Sequence, residues 1–135
     1  MFMVLFDVCP RAGAMETYLE WARLLRPELV QVAGFLDNER FAHDANTGRL
    51  LSLSSWADEK ALIRWRTHAR HHQAQAQGRD VVLADYRLRV GEIVSDSAPP
   101  AGQSLREQRL DVTEASQTKL ISVLELDPAL GAGVP

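Results

Sequence analysis

The residues best suited to chemistry cluster in residues 56–94, which contain three of the four histidines and two of the three tryptophans. His68 and His72 are one helical turn apart, a spacing that lets two imidazoles bind one metal ion. A metal site needs a third ligand, and neither a cysteine nor the glutamate of an HExxH motif accompanies them. We therefore expect partly solvated polar histidines and predict no metal site.

A looser group consists of Trp65, His71 and Tyr86. A helix packed over a strand can place an indole, an imidazole and a phenol around one small-molecule pocket, and imidazole can act as a base near neutral pH. The alternative is that Trp65 and Tyr86 only pack in the core. Asp7 interrupts an apolar run, so it either finds water or an arginine at a sheet end, or points into a cavity with a partner there.

Other reaction classes lack support, because the chain has no P-loop, GxGxxG, GxSxG or paired-carboxylate motif. A formal net charge of −3 and the absence of a basic run give no basis for binding nucleic acid or an anionic membrane surface. No stretch is long enough to span a bilayer, and the apolar start is too short for a signal peptide. We expect a cytoplasmic protein without nucleic-acid or membrane partners.

Periodicity predicts the elements that position these residues. Residues 2–9 form an apolar run interrupted by Asp7, which predicts a strand buried on both sides. Three further strands are predicted over residues 35–42, 49–56 and 81–94. A helical period predicts one helix after Pro10, with Pro27 starting a separate short turn, and a second helix capped by Asp58 and ended by Gly78. The order βαββαβ predicts an α+β, ferredoxin-like fold.

The predicted domain occupies residues 1–95 and is followed by a linker, residues 96–104, rich in Ala, Pro, Gly and Ser. Residues 105–135 form a C-terminal extension with an extra strand near 119–126. The sequence KLISVL there echoes RLLSLS in the third strand, through a truncated duplication or through similar structural needs. We expect this strand to add to an open sheet edge, on its own subunit or on a dimer mate.

A single ferredoxin-like unit leaves one sheet face without helices. In this chain that face is rich in apolar residues, and a large exposed apolar surface usually marks an interface. The pattern therefore predicts a symmetric homodimer through the sheet faces.

Six segments together resemble the antibiotic biosynthesis monooxygenase (ABM) family: FDVCP, LRPEL, GFLDNERF, GRLLSLSSWADEKAL, WRTHARHHQAQAQGR and ADYRLRV. The resemblance covers about residues 2–94 and not residues 95–135. It implies a homodimer of the dimeric α+β barrel type, with a cavity between helices and sheet in each subunit. Members of this family include cofactor-independent oxygenases acting on polycyclic phenols, and heme-degrading monooxygenases.

The resemblance also implies roles for individual residues. In both groups of oxygenases a tryptophan on the second helix lines the cavity, and Trp65 matches it. An H-x-x-x-Q-x-x-G-R run of this branch falls on His71, Gln75, Gly78 and Arg79.

At two positions this chain differs from the heme-degrading members in residues that matter for heme binding. Those members carry an asparagine on the first strand, where this chain has Asp7, and a heme-ligating histidine ten residues after the tryptophan, where it has Gln75. We therefore expect no cofactor, with heme as the alternative.

The first hypothesis is a cofactor-independent monooxygenase for an aromatic or polyketide-like small molecule. A base takes a phenolic proton, the aromatic residues orient the ring, and an arginine stabilises developing negative charge. The candidate bases are His71 and Asp7, and the candidate substrate-binding residues are Trp65, Tyr86, Arg79 and Gln75. The second hypothesis is a non-catalytic dimeric module that binds a small molecule or heme.

Overall fold

A computed structural model describes residues 1–46, 48–71, 79–103, 121 and 123–125, with the backbone alone for residues 69–71, 79 and 80. The elements in chain order are β1 (Phe2–Pro10), α1 (Met15–Leu29), β2 (Phe35–Ala42), β3 (Leu50–Trp56), α2 (Glu59–His71), α3 (Arg79–Val82) and β4 (Leu83–Glu92). This order confirms the predicted βαββαβ arrangement, with α3 as a short addition before the last strand.

The four strands form one antiparallel sheet in the order β2-β3-β1-β4. The central strand β1 pairs with both β3 and β4, and Phe6 lies opposite Ser52 on one side and Leu88 on the other. Successive residues of a strand point to opposite faces, and directly paired residues point to the same face. The register therefore assigns each strand residue to one of two sides.

The helices cover one side, here called the helix side. The even-numbered residues of β1, from Phe2 to Val8, point to it, because they pack with the helices in two buried clusters. The first contains Val4, Leu29, Trp56, Ala61 and Leu62, and the second contains Val8, Val82 and Leu83. The odd-numbered residues of β1, from Met3 to Cys9, point to the opposite, helix-free side.

Gly34 sets how closely α2 approaches the sheet. Its φ is +90°, and a Cβ on it would lie 2.5 Å from the Cβ of Ala61. Its carbonyl also accepts a hydrogen bond from the Ala57 N–H at 2.7 Å. The next residue is Asp58, and its Oδ1 accepts the Ala61 N–H at 2.8 Å, which confirms the predicted N-cap of α2. A residue with a side chain at position 34 would push the helix away.

Two predicted boundaries were wrong. The first helix does not stop before Pro27 but continues to Leu29, and the N–H of Val30 still bonds to the Arg26 carbonyl at 3.0 Å. Proline removes one backbone bond in the last turn, and the burial of Leu29 holds that turn against the sheet. The last strand begins at Leu83 and not at residue 81, because residues 79–82 form α3.

The C-terminal extension is described in part. Residues 121 and 123–125 are in neither a helix nor a strand. The rest of the predicted strand at 119–126 lies outside the described residues, and the domain limits at residues 95 and 104 stay predictions. Among the helices that the structure describes, none has the length and apolar composition needed to cross a bilayer.

Candidate functional site

An open apolar row runs along β4 on the helix side. Tyr86, Leu88 and Val90 are 61%, 45% and 46% exposed, although their neighbours on β1 belong to or pack against the buried clusters. We call these three residues the β4 strip. Adjacent apolar side chains left in water usually mark a binding surface. The strip is thus a candidate surface for an apolar ligand.

Tyr86 forms one end of the β4 strip. Its ring meets the ring of Phe6 edge to face, with centroids 5.8 Å apart and an interplanar angle of 63°. Phe6 packs in turn against the buried cluster around Val8. The contact with Phe6 therefore holds the Tyr86 ring in this orientation, while most of the surface of Tyr86 stays exposed and available to a ligand.

Trp65 is half-buried and packs against the buried cluster that contains Val4. The structure therefore places Trp65 and Tyr86 on the same side of the sheet. That they line one pocket stays a prediction.

His68 is the histidine whose side chain the structure places against Trp65. The two rings stack with centroids 5.8 Å apart and an interplanar angle of 23°. The Nε2 of His68 lies 3.2 Å from Oε2 of Glu28, which reaches across from α1. Sequence analysis had set His68 aside, although its spacing of three residues from Trp65 puts both on one helix face. The partner Glu28 is on another helix, so no local pattern indicated it.

The pair of His68 and Glu28 can handle a proton. When one imidazole nitrogen donates to a carboxylate, the other carries the lone pair that accepts a proton. Both side chains are close to half exposed, so as an ion pair they contribute little to stability. A role as a proton acceptor is a hypothesis for this pair.

Asp7 lies on the helix-free side and does not join this group. Its Oδ2 is 2.9 Å from Nη2 of Arg49, and its Oδ1 accepts from Nε at 3.3 Å. The hydrogen bond and then the charge of Asp7 raise the pKa of Arg49. Of the two interpretations given for Asp7, the structure shows the pairing with an arginine, on the side away from Trp65.

The remaining candidates are only partly described. His71 is the last residue of α2 and Arg79 the first of α3, and the side chains of both lie outside the described residues. Gln75 lies entirely outside them. Their roles stay predictions that rest on the sequence resemblance.

Two observations show whether the described side chains fit a metal ion or heme. Within the part of the chain that the structure describes, no group of three or more His, Cys, Asp or Glu side chains could hold a metal ion. Asp7 stands where heme-degrading members of the family carry asparagine, but its carboxylate is bonded to Arg49 and faces away from Trp65. This residue does not fit the role in heme binding.

Comparison with known sequences identifies the family of this chain. Residues 1–77 match the family model of antibiotic biosynthesis monooxygenase, which confirms the resemblance seen in the sequence. A jasmonate monooxygenase ABM from Pyricularia oryzae is 42% identical over 139 residues, an alignment covering 99% of this chain and 64% of that protein. This chain therefore spans less than two thirds of that relative.

Solved structures agree on the fold. A protein from Deinococcus radiodurans, described as a candidate antibiotic biosynthesis monooxygenase, matches with a TM-score of 0.62 and 14% identity, over 76% of this chain and 100% of that one. A conserved protein from Methanosarcina mazei matches with a TM-score of 0.57 and 17% identity, over 67% of this chain and 89% of that one. At these identities the likeness shows the fold alone.

Proposed function

Because this chain belongs to the antibiotic biosynthesis monooxygenase family, we propose that it is a cofactor-independent monooxygenase acting on an aromatic or polyketide-like small molecule. The observation that carries the proposal is the stack of His68 on Trp65 with Glu28 behind the imidazole. A proton acceptor beside an aromatic surface is what oxidation of a phenol requires.

The substrate lies along the β4 strip in this proposal. A flat apolar ring system covers Leu88 and Val90, with Tyr86 at one end and Trp65 on the same side of the sheet. Burying the exposed area of these side chains stabilises the complex by roughly 25 cal/mol per Å². Aromatic contacts with an indole or a phenol add about 0.5–1.5 kcal/mol each.

The reaction begins when His68 accepts the phenolic proton. The resulting phenolate has the electron density needed to react with O2 at an adjacent methylene carbon. Two C–H bonds break, a C=O bond forms, and the second oxygen atom leaves as water. The methylene loses four electrons and O2 gains four, so the scheme balances without an added reductant.

The other sequence candidates complete the proposal. His71 is three residues beyond His68 and competes with it as the base. Arg79 stabilises the phenolate charge, and Gln75 contacts the substrate. We give Asp7 no role in this reaction, because its carboxylate accepts a hydrogen bond from Arg49 on the other side of the sheet.

A second candidate substrate comes from the relative from Pyricularia oryzae, whose name is jasmonate monooxygenase. Jasmonate is a cyclopentanone with an aliphatic chain and a carboxylate, and it has no phenolic proton. Hydroxylating one of its C–H bonds with O2 leaves the second oxygen atom to be reduced to water by two further electrons. A jasmonate hydroxylase would therefore need an external reductant, whereas the phenol scheme does not.

Oxygen uptake separates these possibilities. The protein is mixed with anthrones, hydroquinones or jasmonate, each with and without NADH, and oxygen consumption is followed with an electrode. We expect uptake with a phenolic substrate alone. Uptake only with jasmonate and NADH would favour the second substrate, and saturable binding without uptake would indicate a non-catalytic module. Added hemin, followed by visible absorption, tests the heme alternative.

Histidine variants then identify the base. His68→Gln keeps a polar group near Glu28 but cannot accept the proton, so turnover should fall roughly 10²- to 10⁴-fold. His71→Gln tests the competing base. His43→Gln is the control, because His43 accepts backbone N–H bonds from Ala45 and Asn46 in the β2–β3 loop. A loss in His71→Gln with normal turnover in His68→Gln would assign the base to His71.

Assembly as a homodimer through the helix-free side is a separate proposal from the sequence. It depends on whether that side is open in a single chain.

A further inference from the structure

Two serines lie on the helix side of β3, where the sheet faces the helices. Leu50 packs against one buried cluster and Trp56 belongs to the other, whereas Ser52 and Ser54 between them are only half-buried. The core face of an antiparallel sheet is usually apolar. These small hydroxyl side chains therefore place polar groups between sheet and helices, and they fill less space there than apolar side chains would.

Hydrogen bonds orient both hydroxyl groups. Asn38 Nδ2 donates to Ser52 Oγ at 2.9 Å and to the Leu53 carbonyl at 3.2 Å, and Trp56 Nε1 donates to Ser54 Oγ at 2.9 Å. Each hydroxyl oxygen thus accepts one bond and keeps its own proton for another acceptor. Within the described part of the chain, neither proton has an acceptor. Both hydroxyl groups are therefore free to donate to a ligand.

The amide of Asn38 is not arranged for stability alone. Its Oδ1 is buried and has no hydrogen-bond partner among the described residues. A buried acceptor without a partner costs free energy, so such groups are rare and need a specific explanation. The amide is turned so that both of its bonds through Nδ2 hold β3, one of them at Ser52. This arrangement fixes the serine hydroxyl and leaves the amide oxygen unpaired, as expected of a group with a functional role.

Arg40 supplies a positive charge beside Ser52. The two residues are directly paired between β2 and β3, so their side chains leave the sheet on the same side. Arg40 is exposed, and it forms no ion pair with an acidic side chain in the described ranges. A guanidinium next to a hydroxyl donor is well suited to bind a carboxylate.

One row of paired residues connects this charge to the β4 strip. On the helix side the row contains one residue from each strand in spatial order, namely Leu88, Phe6, Ser52 and Arg40. Leu88 is apolar and exposed, Phe6 is half-buried, and the last two are polar. Because neighbouring strands lie about 4.8 Å apart, Leu88 and Ser52 are separated by about 10 Å. The row is therefore apolar at one end and cationic at the other, over the length of a small organic acid.

We propose that Arg40 and Ser52 bind the carboxylate of the substrate. The apolar part of the same molecule covers Phe6 and Leu88. The inference rests on the proposed function for treating this ligand as the substrate, and it adds recognition of a polar end, which the β4 strip and Trp65 do not supply. Among the candidate substrates, jasmonate has such a carboxylate, whereas an unsubstituted anthrone or hydroquinone has none. A phenol that carries a carboxylate satisfies both the site and the reaction.

Matched acids and esters test the carboxylate site. Jasmonate is compared with methyl jasmonate, and naphthoate with methyl naphthoate, because each ester keeps the apolar part and loses the charge. Binding to the full-length chain is measured by isothermal titration calorimetry, and melting temperatures show that each variant is folded. The variants are Arg40→Gln, Ser52→Ala and the control Arg87→Gln. Arg87 is an exposed arginine of β4 that is paired with Asp7 and so points to the helix-free side.

We expect at least one acid to bind about 10-fold more tightly than its ester, because hydrogen bonds to a charged group are stronger than those to a neutral one. Arg40→Gln should remove this preference by weakening the binding of the acid alone. Ser52→Ala should reduce the preference, and Arg87→Gln should leave it unchanged.

Equal affinities for acid and ester, or no binding of either acid, would overturn the proposal. So would an acid preference that survives Arg40→Gln or disappears in Arg87→Gln, because the charge would then be recognised elsewhere. An effect of Arg40→Gln with none from Ser52→Ala would also overturn it, since the guanidinium would act by general attraction. Acid-selective binding without oxygen uptake would support the site and contradict the proposed activity. Uptake with neutral phenols and no acid preference would do the reverse.

Discussion

On the helix side of the sheet, two helices supply a core, yet β4 leaves Tyr86, Leu88 and Val90 open to solvent. On the helix-free side no helix packs, yet Leu5 and Leu53 are almost fully buried. The side with the most packing thus keeps an exposed apolar row, and the side with no helices has buried residues in the middle of the sheet. The location of helices therefore does not by itself say which face of a sheet is available for binding.

The charged groups differ between the two sides in the same way. His68 and Glu28 come from two helices and meet beside an aromatic ring, where a proton acceptor has a use. Asp7 of β1 and Arg49, the residue just before β3, form a two-point pair in which both charges are neutralised locally. We propose a chemical role for the first pair, whereas the second pair joins two neighbouring segments of the sheet.

The largest expected effect is on the helix side. Gly34→Ala adds a methyl group 2.5 Å from Ala61 Cβ at a residue with φ of +90°. We expect a loss of roughly 2–4 kcal/mol in the free energy of unfolding, from backbone strain and displacement of α2. Denaturant unfolding measures it. The control is Gly91→Ala in β4, where an added Cβ meets nothing within 4 Å. Equal losses in both variants would mean that Gly34 does not set the position of α2.

The next effect tests the burial of residues on the helix-free side. Leu53→Ala should lower the free energy of unfolding by about 2–3 kcal/mol, because the removed atoms leave a cavity at a nearly fully buried position. Leu51→Ala is the matched control on the same strand and the same side, where the side chain is only half-buried and about 1 kcal/mol is expected. Similar losses from both would show that Leu53 is not buried in solution.

A smaller effect concerns the ion pair on that side. Asp7 and Arg49 are about one third exposed, so a double-mutant cycle with Asp7→Asn and Arg49→Gln should give only a small coupling energy, because solvent screens the pair. Urea unfolding of the four proteins measures it. A large loss of turnover in Asp7→Asn at unchanged stability would contradict the placement of Asp7 outside the site.

The smallest effect concerns Glu125 and pH. Because the pKa of Glu125 is raised above its ordinary value of 4.5, its contribution to stability is fully present below that value and is lost as pH rises through the raised pKa. The like charges that face it are Glu39, Asp37 and Asp96. Glu125→Gln should therefore stabilise the protein at pH 7 by roughly a few tenths of a kcal/mol, since the site is mostly exposed. It should have no effect below pH 4.5.

Melting temperatures of both proteins across this pH range test the prediction about Glu125. A variant that is less stable than the wild type at pH 7 would show that the carboxylate is held by attraction and not by repulsion.

The order of elements could be predicted from sequence because each depends on local pattern. Alternation marked the strands, Asp58 marked the start of α2, and the run of family motifs indicated the fold that the comparisons confirm. Boundaries set by packing could not be predicted in this way. Pro27 suggested an end to α1, but the burial of Leu29 keeps the last turn helical.

What the sequence determined by itself is which residues share a face, because alternation in strands and the helical period are local properties. It did not determine which face of β1 the helices choose, since Phe2, Val4 and Phe6 on one side and Met3 and Leu5 on the other are all apolar. Only the tertiary structure placed Asp7 away from Trp65, joined His68 to Glu28 and buried Leu5. Each of these depends on contacts between segments distant in the chain, which no local period encodes.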